Sequence, residues 1–359
     1  MNLHGQQLLD SIKYLPCLRS RQAEVKGYMQ LSPIAKASLH PLISIGKFGR
    51  LTQTSKVLEA IQAKIGGCFV DLNMVSDQSC DDLAEVTNPE NHYLNWRELV
   101  RGYPGLTPAA IIDSDGSERA FIRQVVEIEA EYNTVLIRTK KPSIDLGFLK
   151  AALAAVADVN SVFIVLDFGY IRGALETKIV EARRVITALR ETEPSARIAV
   201  VSSSFPKSVA AYGDGQASLE IIDREFHTQL GGDEVAIYGD HSAIYPEPFE
   251  PMISRWVPRI DYCTEYSWFY ARRRDDDGGY VECARRIVSL EDWDVEFARA
   301  NWGADIILQT ANTGVVPSGF GAPANWIAAR VNMHIERQLS VSFPDEADAV
   351  DPYDLDDLM

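Results

Sequence analysis

Eight short runs of apolar and β-branched residues, spaced by longer segments of helical period, constrain this 359-residue chain more than any other feature. The runs are 14–18, 42–45, 68–70, 109–112, 134–137, 162–166, 198–201 and 235–238. Between them, segments 55–65, 117–132, 146–157, 175–190 and 217–230 place apolar residues at three- and four-residue spacing, as Ile179, Ala182, Val185, Ile186 and Leu189 do. A buried strand followed by a helix with one apolar face is the repeating unit of a parallel sheet, because the return crossover needs about a helix's length. Eight such units predict an α/β fold, a (β/α)8 TIM-like barrel. The competing open, doubly wound sheet would need a glycine-rich phosphate turn after an early strand. Neither G-x-G-x-x-G nor G-x-x-x-x-G-K-[ST] occurs.

Two stretches depart from the repeat. Segment 76–91 is polar and acidic and reads as a long loop. After the eighth run, 256–273 is aromatic-rich and alternating, which predicts one long strand or a hairpin, followed by helices over 279–289, 293–301 and 324–339 and a Gly/Pro/Ser loop over 313–323. The expected division is a barrel over 1–250, a C-terminal α+β extension over 251–344 packed on it, and a disordered acidic tail over 345–359.

Charge and cysteine content narrow the classes of function. The chain carries 35 basic and 51 acidic residues, a formal net charge of -16, which opposes non-specific binding to a phosphate backbone. No apolar run approaches the roughly 20 residues that span a bilayer, and the N-terminus has no signal-peptide pattern, so the expected location is cytoplasmic and away from membranes. Cys17, Cys68, Cys80, Cys263 and Cys283 form no C-x-x-C pair and are odd in number, which predicts buried structural thiols.

Polar side chains follow nearly every apolar run, at the edge where barrel enzymes place their sites. They are Arg19, Lys47, Asp71, Asp113, Arg138, Asp167, Ser202, Ser203, Ser204 and Asp240. Each Asp alone is an ordinary helix cap or turn residue. Together, Asp71, Asp167 and Asp240 would put three carboxylates in one mouth, enough oxygen ligands for a hard divalent cation, and Arg19 and Arg138 would suit a phosphate or carboxylate. The same groups could equally neutralise one another as a structural network. His241 is the best acid–base candidate, and a metal-dependent hydrolase is one outcome; neither H-E-x-x-H nor G-x-S-x-G is present, so zinc and nucleophile-elbow chemistry are disfavoured. Tyr262, Tyr266, Trp268, Phe269 and Tyr270 with Arg272, Arg273 and Arg274 would stack a base or sugar, or form one apolar sheet face.

The order of short motifs resembles the Beta protein family, known from T-even bacteriophages and from bacterial genomes and mobile elements. They are Y-L-P-C-L-R-S-R-Q-A-E from Tyr14 to Glu24, V-D-L at 70–72, V-L-D-F-G at 165–169, S-S-F-P at 203–206, Y-G-D-H at 238–241, P-R-I-D-Y at 258–262 and W-G at 302–303. The likeness runs nearly end to end and brings no assigned reaction with it. It implies a role in conflict between phages and bacteria, with a barrel-mouth site that includes Arg19, Arg21, Glu24, Asp71, Asp167, Ser204 and Asp240. Two functions fit: a mouth that binds or cleaves a small phosphorylated or acidic ligand, or a non-catalytic scaffold that recruits a protein partner in a defence complex.

Overall fold

The computed structural model describes residues 3–213, 215–248 and 256–343. Its strands are β1 (Tyr14–Arg19), β2 (Leu42–Ile45), β3 (Cys68–Leu72), β4 (Leu106–Ala110), β5 (Val135–Thr139), β6 (Val162–Tyr170), β7 (Arg197–Ser203), β8 (Gln216–Glu220), β9 (Ile237–Asp240), β10 (Arg259–Cys263) and β11 (Ser267–Arg272). Strands β1 to β7 and β9 pair in parallel, and β9 returns to β1, closing an eight-stranded barrel. All eight expected runs overlap these strands, those at 109–112 and 235–238 by two residues each. The (β/α)8 TIM-like architecture is therefore that of the chain.

The barrel interior is filled from alternating positions: Leu15 and Cys17 of β1, Leu42 of β2, Phe69 of β3, Leu136 of β5, Phe163 and Val165 of β6, and Ala199 and Val201 of β7. Leu9 and Ile12, at the end of the N-terminal helix Leu3–Ser11, join this cluster. They approach from the side where β1 begins, so the packed interior is closed there and the site can open only at the other rim. All five cysteines are buried and free.

Several boundaries differ from expectation, each for a local reason. The segment expected as a helix over 217–230 is the strand β8 followed by the helix Ile222–Leu230. In β8, Leu219 is buried while Gln216, Ser218 and Glu220 are exposed, a period of two that pairs antiparallel with β11. The aromatic segment is a hairpin, β10 and β11, and with β8 it forms a three-stranded sheet outside the barrel. Segment 76–91 is mostly turns but holds a single helical turn, Leu83–Val86. The helix expected over 293–301 spans only Val295–Ala300, and a further helix, Trp302–Thr313, starts where the Asn301 side chain accepts the Ala304 N–H. The acidic tail lies outside the described residues.

Helix Pro323–Ser342 crosses helix Gln22–Met29 at Gly27, where a Cβ would lie 2.7 Å from the Ala328 carbonyl oxygen. The same helix presses His334 and Arg224's partner Gln338 toward β9, with the Arg224 guanidinium 3.5 Å from the centre of the Tyr238 ring. Among the described residues no helix is long and apolar enough to cross a membrane.

Candidate functional site

Side chains alternate faces along a strand, so stepping by two from each interior residue shows which rim groups point inward. From Cys17, Leu42, Phe69, Leu136 and Val165, one further step reaches Arg19, Ser44, Asp71, Arg138 and Asp167. Register aligns part of this ring, with Arg19 opposite Ser44 and Ser44 opposite Asp71.

Arg138 is the centre of the ring. Its Nε and Nη2 donate to Asp167 Oδ2 at 3.2 and 2.6 Å, and Nη1 donates to Asp71 Oδ2 and Ser44 Oγ, both at 2.7 Å. Four of the guanidinium's five N–H groups are thus engaged. The Arg138 side chain is 5% exposed, against 1% for Asp167 and 15% for Asp71. Burial opposes the charge on Arg138, but Asp71 and Asp167 outweigh it and hold the cation. Burial likewise works against ionised Asp167, yet His241 and Arg138 hold its carboxyl well below the usual range. Asp71 Oδ1 is buried and has no hydrogen-bond partner among the described residues.

His241 completes the ring from β9. Its Nε2 lies 3.0 Å from Asp167 Oδ1, which also accepts the Gly169 N–H at 2.9 Å. The two residues after it, Ser242 and Ala243, have φ of 52° and 57°, left-handed conformations that cost a non-glycine residue on the order of 1 kcal/mol each. Asp240 offsets that strain: its Oδ1 accepts the Ser242 N–H at 2.8 Å.

Asp240 itself does not join Asp71 and Asp167. It shares the outward face of β9 with Tyr238, one residue out of phase with the interior, and accepts the hydroxyls of Tyr14 at 2.8 Å and Tyr238 at 2.9 Å. His334 Nε2 lies 2.9 Å from Asp240 Oδ2, and the Trp268 Nε1–H points at His334 Nδ1 at 3.2 Å, which fixes the proton on Nε2. Burial raises the Asp240 pKa, and His334, the Ser242 N–H and Tyr14 more than reverse it.

The remaining candidates separate by the same geometry. Glu24 is buried and binds the Arg19 N–H at 2.7 Å and Nε at 3.0 Å, so these two form one unit at the rim. Arg21 lies beside it, its pKa lowered by burial and then by Arg19. Ser203 Oγ donates to the Ile244 carbonyl, while the Ser202 and Ser204 hydroxyls bind Asp223, whose pKa burial pushes up. The serine run therefore anchors loops and a helix. Trp268 is buried in the outer sheet, and Arg272 lines a separate surface groove with Arg273, Arg274 and Arg286. Lys47 pairs with Asp81, and Asp113 is an exposed turn residue that accepts the Asp115 N–H. Neither reaches the mouth.

Two openings meet at the ring. A narrow slot of about 20 Å³, little more than one water needs, is walled by Arg19, Glu24, Ser44, Arg138, Lys140 and His241. Beside it, a cavity of about 270 Å³ shares Arg138 and Lys140 and is otherwise walled by Asp71, Lys141 and the apolar ends of β3 and β4. Ser44, Lys140 and His334 were not singled out from the sequence. Ser44 is the polar residue of an otherwise apolar strand, and Lys140 follows Arg138 by two residues, which are the available signals.

The residues present do not fit the expected divalent cation. A guanidinium already stands between Asp71 and Asp167, Asp240 faces the other side of the wall, and among the described residues no group of three His, Cys, Asp or Glu is placed to hold a metal.

Fold and rim together define a TIM-like barrel whose C-terminal mouth carries a buried arginine held by two aspartates and a serine, with a histidine on one of the aspartates. A family model described as Beta protein matches residues 14–340, and the chain belongs to that family. It is 31% identical over 339 residues to Protein beta of Enterobacteria phage P4, covering 93% of this chain and 94% of that protein. The phage relative found is thus that of P4, where the resemblance named T-even phages.

Proposed function

We propose that this chain serves a phage-related role in which the barrel mouth binds a small phosphorylated or otherwise acidic ligand. One observation carries the reading. The mouth of a strongly acidic protein is walled by Arg138, Lys140, Lys141, Arg19 and His241, and three of its carboxylates, Asp71, Asp167 and Glu24, already contact cations inside the protein. Among the described residues Arg138 keeps one N–H unengaged, and Lys140 and Lys141 are exposed beside it, so an entering anion meets positive charge with few donors to displace. The Asp167–His241 contact supports a second step, proton transfer to or from the bound ligand, because a carboxylate that fixes one ring nitrogen leaves the other to act.

Calorimetric titration with inorganic phosphate tests the binding reading. The expected result is saturable binding that weakens with salt and falls at least about ten-fold in a Lys140→Met, Lys141→Met double variant, since two exposed charges are removed. No binding by the native protein, or equal binding by the double variant, refutes it.

A further inference from the structure

We infer that the cavity at the ends of β3, β4 and β5 is a subsite for a compact apolar body attached to the acidic group, so the ligand class is an acid or phosphoester carrying a ring-sized hydrophobic moiety. This rests on the anion reading above and names what the anion is joined to. At most strand ends the barrel presents a charged or hydroxyl group, such as Arg19, Ser44, Asp71, Arg138 and Asp167. At β4 the inward residue is Ala109, whose short side chain leaves the space that a longer one would fill. The chain continues with Ile111 and Ile112, and Leu72 and Met74 face the same cavity from β3 and the loop after it.

The wall is therefore apolar on one side and cationic on the other, with Arg138, Lys140 and Lys141 at the far edge. Met74 is 51% exposed, an uncommon exposure for a large apolar side chain at a barrel rim otherwise lined by charge. A volume of about 270 Å³ sits just below the usual range for small-molecule sites, which sets the size of the moiety. Asp145, also in this wall, is held by the Ser114 and Thr139 hydroxyls, so it fixes the cavity's shape and does not add an unpaired charge to it.

Phenyl phosphate and inorganic phosphate differ by the ring alone and are the probes. Titrated into the native protein, phenyl phosphate is expected to bind at least about ten-fold more tightly, the gain from burying most of one ring. A Met74→Ser, Ile112→Thr double variant should lose that advantage and bind inorganic phosphate as the native protein does. Both side chains are at least partly exposed, and the single Met74→Ser change at the exposed position serves if the double variant does not fold. Equal affinity for the two probes in the native protein, or an advantage that survives the variants, overturns the subsite and leaves the anion reading intact. Binding of neither probe overturns both.

Discussion

Replacing Arg138 by Met is expected to destabilise the fold by about 3–5 kcal/mol at neutral pH, because it removes the shared partner of the buried Asp167 and the partly buried Asp71. The structure sets that magnitude. Asp167 keeps His241 and the Gly169 N–H after the change, but the partly buried Asp71, whose Oδ1 already has no partner among the described residues, loses its cation. Like charges then face each other across the space the guanidinium occupied. The sign with pH follows. In the native protein Asp167 has a lowered pKa, so its contribution is present above the unfolded value of about 3.9 and is lost as pH falls below it. In the variant Asp167 has lost one of the two cations that hold it ionised, so the deficit is greatest at neutral pH and shrinks on acidification as it takes up a proton. Urea unfolding followed by tryptophan fluorescence at several pH values measures this, and Asp71→Asn added to the variant should restore part of the loss. A deficit under about 1 kcal/mol, or one that Asp71→Asn does not reduce, would show that Arg138 is not the electrostatic centre of the ring.

His334→Leu removes one donor from Asp240 and leaves the Trp268 N–H unmet, so stability should fall by about 1–3 kcal/mol and the acid-unfolding midpoint should move to higher pH; an unmoved midpoint in circular dichroism would argue against the contact. Gly27→Ala would ordinarily gain up to about 1 kcal/mol of helix propensity, yet here a Cβ meets the Ala328 carbonyl oxygen and Val331, so a net loss of about 1–3 kcal/mol is expected. A melting temperature equal to or above the native one would refute that crossing.

The barrel was legible because a buried apolar run recurs eight times and most of these runs are followed by an amphipathic helix. The site was legible only in part. Asp71, Arg138 and Asp167 were read as neighbours from their positions after strands, and they are neighbours, but they lie within the strands, where the pleat fixes the face each side chain presents. Asp240 failed to join them for the same reason: its run was placed at 235–238, whereas the strand is Ile237–Asp240 and puts Asp240 in phase with Tyr238 on the outer face. A two-residue error in a boundary leaves parity unchanged, so the outward position was implicit in Tyr14 and Tyr238 both being large residues opposite each other in register. What periodicity could not supply was the long-range partner. His334 reaches Asp240 from 94 residues away, on a helix recognisable from its apolar spacing but not from the histidine in it.

The consequence for stability reverses an expectation drawn from composition. Three acidic residues at neighbouring rim positions suggest repulsion, and their removal would then raise stability. With Arg138 between two of them and four donors on the third, Asp167 and Asp240 are instead held ionised by their surroundings, and removing any of the three strands the groups that face it. Function and stability are therefore tied through different residues. The ring that grips Arg138 resists change, while Lys140, Lys141 and Met74, exposed at the edge of the same mouth, carry no such internal network and are the positions the proposed ligand would meet. If the proposed anion reading holds, variation in ligand preference is expected at those three positions and not at Arg138, Asp167 or Asp71.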